Sequence, residues 1–314
     1  MLKKCLLLFL PFALFAAPEE NHPWTDPWFT GPLFAPGSVV NSAREITWQP
    51  YFSVTCNYGA YNHKWKREKT PNFWVFQPLL DLTYGIGHSM DLEIVPAFSY
   101  QTSQGSSSIR MNDTPLFLGI QALRQKEGSW TPDLRIRLQT LFPLGQYQKA
   151  NPKKKGTDLT GSGSYQMGIT FDFQKTFQTG PEHYFRLRWS LESILYPTSV
   201  RIRGINAYGG GPHTSGKIYP GRTNIVFLSG EYTITHNWGF AFDTQYIYKS
   251  HARFSGHSGG DAVGSPSSHQ ISLAPAIEYN YSANFGVIGG ANFSIAGKNA
   301  TQFASGIISV VATY

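Results

Sequence analysis

Thirteen charged side chains of this 314-residue chain share one setting. Asp81, Asp91, Glu93, Asp133, Arg135, Arg137, Asp172, Arg186, Arg188, Glu192, Glu231, Asp243 and Glu278 stand in stretches where polar and apolar residues alternate. Unpaired charge in a low-dielectric interior is costly, so carboxylates and guanidiniums placed this way must meet. Arginine with a carboxylate forms short, charge-assisted bonds. Neighbouring stretches would set Arg135 and Arg137 beside Asp172, and Asp172 beside Arg186 and Arg188. Such a set has two uses, which do not exclude one another. It can be a salt-bridge network that fills a narrow interior, or a constriction that selects or gates solutes.

Other chemistry finds little support. Ser267 and His269 share a face, placed inward or in a loop, and no outward histidine is matched with an outward serine, as a lipid hydrolase of this kind would need. His251 and His257 lack a carboxylate or cysteine to complete a metal set, so neither metal nor cofactor is expected. Gly209-Gly210-Gly211 and the stretch Gly256–Gly264 do not follow a strand and open a helix, so they are flexible loops rather than phosphate cradles. No enzyme activity is expected.

The elements that carry these charges follow from period. From residue 46 onward, apolar residues recur at every second position for about ten residues and then break, which is the pattern of a strand with one apolar face. Met90, Leu92, Ile94, Pro96, Phe98 and Tyr100 oppose Asp91, Glu93, Ala97, Ser99 and Gln101. Twelve such segments are expected at 46–57, 73–84, 90–101, 114–124, 133–143, 164–177, 184–196, 224–235, 238–249, 269–281, 285–295 and 303–314. Short turns join them at 85–89, 125–132, 178–183, 236–237 and 282–284. Long polar loops join them at 58–72, 102–113, 144–163, 197–223, 250–268 and 296–302. Short and long alternate without exception, which a β-sandwich has no reason to do. An even strand number with loops sorted in this way is the pattern of an all-β, up-and-down antiparallel barrel spanning the outer membrane, here of twelve strands with both termini on the periplasmic side.

Composition agrees. Charged residues make up 14% of the chain, hydrophobic residues 41% and aromatic residues 15%, against about 25% charged in an ordinary soluble domain. Two aromatic girdles are expected at the strand ends. Tyr84, Phe173, Phe185, Trp238, Tyr281, Phe285 and Tyr314 fall at the short-turn end. Trp74, Tyr100, Phe142, Tyr165 and Tyr248 fall at the loop end. The longest apolar run, Leu6 to Ala17, is too short for a spanning helix. With Lys3 and Lys4 before it and Ala16-Ala17 at its end, it reads as a cleaved export signal, residues 1–17. Cys56 then stands alone, and no intrachain disulfide is expected.

Residues 18–45 are proline- and aromatic-rich without regular period, and form either a mobile periplasmic segment or a plug inside the barrel, residues 46–314. Pro50, Pro78, Pro96 and Pro275 fall inside expected strands, where each removes a ladder hydrogen bond. The last segment closes on Tyr314, which resembles the terminal signal read by the outer-membrane assembly machinery. Lys64, Lys66, Arg67 and Lys69, and Lys153-Lys154-Lys155, sit in long loops where outer-membrane lipids and anionic lipopolysaccharide are natural partners. Nucleic acid is not, despite a pI near 9.3.

Three stretches carry a family resemblance. "LTYGIGHSMDLEIVPAFSY" (82–100), "LRIRLQTLFPLGQ" (134–146) and "GSGSYQMGITFDFQKTF" (161–177) resemble the meta-pathway phenol-degradation outer-membrane family, a group of transporters distantly similar to long-chain fatty-acid channels. The resemblance covers about a third of the chain and carries no catalytic residues. It implies a barrel that passes small, often apolar molecules. The expected function is an outer-membrane channel or passive transporter for a small solute. The alternative is a structural or adhesive outer-membrane protein that binds partners through its long loops.

Overall fold

The alternation becomes a single closed sheet. The computed structural model describes residues 27–126 and 128–314; the expected export signal lies outside them. In chain order the strands are β1 (Ile46–Tyr61), β2 (Arg67–Gly85), β3 (Met90–Ile94), β4 (Phe98–Ser103), β5 (Ser106–Met111), β6 (Thr114–Leu123), β7 (Asp133–Phe142), β8 (Gln166–Gln178) and β9 (Tyr184–Pro197). They continue with β10 (Val200–Arg203), β11 (Ser215–Tyr219), β12 (Thr223–Thr233), β13 (Trp238–Lys249), β14 (Arg253–His257), β15 (Ser268–Ser282), β16 (Phe285–Lys298) and β17 (Ala300–Thr313). β3 with β4, and β5 with β6, are single strands interrupted at one level. Counted so, twelve antiparallel strands close where β1 pairs with both β2 and β17. Tyr314 and Ile46 seal the seam by exchanging two backbone hydrogen bonds of 2.9 Å.

Register fixes which face each residue takes, because a one-residue slip would turn every side chain over. Outward go Leu138, Leu191, Leu228, Ile277 and Ile308, all between 45% and 54% exposed. Inward go Asp91, Glu93, Arg135, Arg137, Asp172, Glu231, Asp243 and Glu278, all buried. Exposed rings gather at both ends of the outward face. Trp238 packs on Tyr279 (4.8 Å) and Tyr281 on Phe285 at the short-turn end, while Phe142 meets Tyr165 (6.1 Å) at the loop end.

The four prolines sit where the ladder lapses on one side. Pro50 lies in a gap between β1 and β17, Pro78 in the gap between the β2 pairings to β3 and β4, Pro96 in the break of β3 from β4, and Pro275 in a gap between β15 and β16. A residue without N–H costs least where no partner carbonyl waits.

Several of the expected long loops are instead strand. β1 and β2 run on to a tight turn at 62–66, β16 and β17 to a turn at Asn299, and β4 and β5 form a hairpin. That hairpin turns at Gln104 and Gly105, both with positive φ, the geometry that two-residue hairpins favour. These stretches stand above the apolar belt and lack its regular polar–apolar alternation, so period gave no sign of them. The free edge of β5 is covered by the segment around Pro152–Lys154, through Ser106 donating to the Lys153 carbonyl (2.6 Å) and Lys154 to the Ser107 carbonyl (2.8 Å).

The 197–223 and 250–268 connections also contain structure. β10, β11 and β14 form a three-stranded sheet over a small core of Val200, Ile202 and Ile218, with Tyr147, Tyr208 and Phe254 against it. The glycine-rich stretches belong to this packed unit: Gly216 pairs with Gly256, and Gly209 bridges to Val263. Tyr208 donates to the Ser162 carbonyl at 2.8 Å; burial, then the nearby Asp113 carboxylate and Tyr147, push its phenol up to about 12.

An arginine at the apolar midplane of a barrel costs about 2–4 kcal/mol, and near an interface about 0–1. Leu228→Arg, mid-strand in β12, is expected to fall in the first range and Tyr196→Arg, at the loop end of β9, in the second. Denaturant unfolding in lipid vesicles measures both; equal costs would contradict the placement of the apolar band.

Candidate functional site

The inward charges form two clusters on adjoining stretches of the wall, the first on β2, β3, β7 and β8 and the second on β9, β12, β13 and β15. On the first stretch a continuous chain runs Asp91, Arg135, Glu93, Arg137, Asp172. The links are Arg135 to Asp91 at 2.7 Å, Arg135 to Glu93 at 3.0 Å, Arg137 to Glu93 at 3.1 Å and Arg137 to Asp172 at 2.7 Å. β3 and β7 are not adjacent, since β6 lies between them. Gly119 in β6 makes the crossing possible. A Cβ there would lie 2.0 Å from Asp91 Oδ1 and 2.4 Å from Arg135 Nε. One step toward the loops, Phe117 of the same strand supports the Arg137 guanidinium at 4.5 Å from its ring centre. Asp81 stands near Glu93, Arg137 and Arg135, and Glu192 near Arg137 and Asp172 with a bond from Gln139. Asp133 lies lower, accepting from the Gln125 N–H at 2.9 Å.

On the second stretch Arg188 meets Glu231 at 3.1 Å. Arg186 donates to Thr176 Oγ1 at 3.2 Å and lies 4.2 Å over the ring of Phe29. The sequence placed Asp172 between Arg137 and both Arg186 and Arg188. The structure joins Asp172 to Arg137 alone, because Arg188 turns away along its own stretch to Glu231. Register made Asp172 the neighbour of Arg135, yet Arg135 turns across β6 to Asp91 and Glu93.

Residues 27–45 arch between these clusters. Trp28 packs on His236 at 4.0 Å, in the turn between β12 and β13, so the segment enters from the short-turn end. Thr30 and Gly31 donate backbone N–H groups to Glu278 (2.6 and 3.3 Å), and Phe34 and Ala35 donate theirs to Asp243 (3.1 and 3.2 Å), which also accepts from the Ser229 hydroxyl. Arg188 donates to the Ala35 carbonyl at 3.2 Å. Leu33 packs on Ala241, Ala274, Ala276 and Ile288. The chain then crosses to the first cluster. Gln121 accepts from the Val40 N–H (2.9 Å) and donates to the Ser38 carbonyl (2.9 Å), and Asp91 accepts from the Asn41 N–H at 3.3 Å. It returns to the short-turn end at Arg44, which donates to the Gly85 carbonyl. Gly31 is needed in this arch: its φ is +105°, and a Cβ would press on the Arg188 guanidinium at 3.2 Å.

Three functional positions escaped the sequence: Gly119, whose sign was a lone glycine in a strand, and the two polar anchors Gln121 and Ser229. One expectation is corrected. His269 was placed inward or in a loop, but β15 sends its odd-numbered residues outward, and His269 packs on Tyr248 at 5.0 Å within the loop-end aromatic band. Its Nδ1 is engaged by the Tyr246 hydroxyl at 2.8 Å.

No protein-family model matches the sequence, and no curated protein does. Solved structures do. The COG4313 outer membrane channel from Pseudomonas putida F1 matches with a TM-score of 0.69 at 12% identity, over 90% of this chain and 100% of that one. The NanC porin matches with a TM-score of 0.41 at 10% identity, over 83% of this chain and 98% of that one. The Ralstonia pickettii toluene transporter TbuX matches with 0.38 at 10%, over 92% and 95%. The first likeness extends over nearly the whole chain. It establishes the fold as a closed twelve-stranded barrel of the outer-membrane kind.

Removing one partner of a buried ion pair leaves an uncompensated charge and costs about 3–5 kcal/mol. Arg137→Met, which takes the guanidinium from Asp172 and leaves Glu93 with Arg135 alone, is expected to lose this much. Gly119→Val is expected to destabilise in the same direction by forcing Arg135 from Asp91. Chemical unfolding of the refolded barrel in detergent reads both, and wild-type stability in Gly119→Val would show that the pair does not need the gap.

Proposed function

We propose that this protein is an outer-membrane channel or passive transporter for a small solute, with both termini in the periplasm. The observation that carries the proposal is the pairing of an apolar outward face with a belt of ionic side chains inside. A barrel whose interior were only structural could be filled with apolar side chains, which cost no desolvation. A twelve-stranded barrel is wide enough to hold a narrow path, between the filled eight-stranded and the open sixteen-stranded cases. Asp91, Glu93, Arg135, Arg137, Asp172, Arg186, Arg188, Glu231, Asp243 and Glu278 form its constriction, and the arch of residues 27–45 acts as a plug across it. Tyr314 is the terminal residue read during assembly, and the loop lysines face lipopolysaccharide. The resemblance to the meta-pathway phenol-degradation family supports a small, apolar or aromatic solute.

A second reading, a surface protein that binds partners through its loops, is favoured by the small sheet of β10, β11 and β14. Arg201, Arg203, Lys217 and Arg253 project from its exposed face, with Lys217 and Arg253 beside the Tyr219 ring.

Liposome swelling and planar-bilayer conductance separate the two. The full chain is expected to give small currents, and a chain lacking residues 18–45 larger ones. No solute flux from either form, with both migrating as folded barrels on unheated gels, would end the transport reading and leave the surface-binding one.

A further inference from the structure

The sign of the interior is opposite to that of the chain. The protein as a whole carries a net charge of +7, yet the inward belt sets nine carboxylates against the four guanidiniums of Arg135, Arg137, Arg186 and Arg188. The arch gives Glu278, Asp243 and Asp91 backbone N–H donors without changing this excess. On the wall formed by β8 and β9 it meets the short-turn part, at Arg186 and Arg188, and the level of Asp172, Thr170 and Ser190 lies beyond those contacts.

There the acceptors stand without donors. Asp172 uses Oδ2 for Arg137, while its Oδ1 has no hydrogen-bond partner. Thr170 Oγ1 and Ser190 Oγ are likewise without one. These three residues are 0%, 0% and 2% exposed. Register sets them side by side: Asp172 pairs with Ser190, and Thr170 with Glu192. Arg137 is shared between Asp172 and Glu93, so Glu192 adds a negative charge that no dedicated cation balances. A buried carboxylate oxygen left unpaired is expensive, and two neighbouring hydroxyls can turn their lone pairs to the same point. Oxygen ligands of this kind, with no histidine or cysteine among them, suit a hard monovalent cation or the N–H groups of an ammonium. Only two of the four groups are carboxylates and one of these is already paired with Arg137, so the charge left over suits a single positive charge.

We infer that the β8–β9 wall of the lumen is a binding station for a monovalent cation or an ammonium group, formed by Asp172 Oδ1, Thr170 Oγ1, Ser190 Oγ and the Glu192 carboxylate. It makes the path through the barrel cation-selective. The selectivity rests on the channel reading above; the station does not. It also narrows the solute, because a cationic or amine-bearing molecule is drawn in, while a free carboxylate or phosphate meets like charge.

Caesium soaked into crystals of the full chain tests the station by anomalous scattering. A peak among the four named groups, lost in the Thr170→Val/Ser190→Ala double variant, supports it; no peak at the intact wall overturns it. Reversal potentials in planar bilayers under a potassium chloride gradient test the selectivity. Potassium is expected to be preferred over chloride, and Glu192→Gln to reduce the preference severalfold while leaving heat-modifiable gel migration unchanged. A chloride preference, or a potassium preference untouched by Glu192→Gln, overturns the inference. A chain that binds caesium at the wall but passes no current keeps the station and ends the channel reading instead.

Discussion

A backbone N–H or C=O left unpaired in hydrocarbon costs several kcal/mol, and a sheet escapes that cost only by having no edge. Every other feature of this molecule follows from closing the sheet. Closure at β1 and β17 makes two environments out of one strand, since successive side chains must face opposite ways. The outward set is selected for acyl chains and the inward set for whatever the interior holds. The prolines show how strictly the pairing is kept: each is confined to a position where one neighbouring ladder has already lapsed, so no carbonyl is left waiting for its missing donor.

What the sequence revealed and what it hid divide along the same line. Within the apolar belt, strand existence, order and face were legible, because lipid on one side and ionic groups on the other force a period of two. Above the belt that force is gone. β5, with the sequence Ser106-Ser107-Ser108-Ile109-Arg110-Met111, opens on three serines with no alternation and is held by its turn and by backbone pairing, so it resembled a loop. The β10, β11 and β14 strands are only four or five residues each, and β14 joins from a different connection than the one that holds β10 and β11. His269 was lost to a count of one in phase at a strand end.

The charged belt was legible as a set but not as a network. Alternation shows that Arg135, Arg137 and Asp172 face inward. Which of them meet depends on what the intervening strand leaves empty. Arg135 reaches past its nearest register neighbour to Asp91 because β6 presents Gly119 at that level, and Arg137 is held by Phe117. A side chain that is missing steers the pairing as much as those that are present. In the second cluster the glycine gap lies elsewhere, at Gly239 beside Glu278, and Arg188 stays with Glu231 on the neighbouring strand.

The arch and the belt are therefore one device rather than a pore with an obstacle in it. Glu278 and Asp243 take their donors chiefly from the backbone of residues 30–35, not from arginines. Backbone amides carry no net charge, so they satisfy these carboxylates without neutralising them. Their charge persists in the interior while the arch is seated, and their hydrogen bonds must be replaced when it leaves. Water can replace them in a wetted lumen, and so can the N–H groups of a cation. An anion can do neither. On the channel reading proposed above, the hydrogen bonds that seat the arch are ones that water or the N–H groups of a cation can replace and an anion cannot, which would tie its release to the sign of what passes.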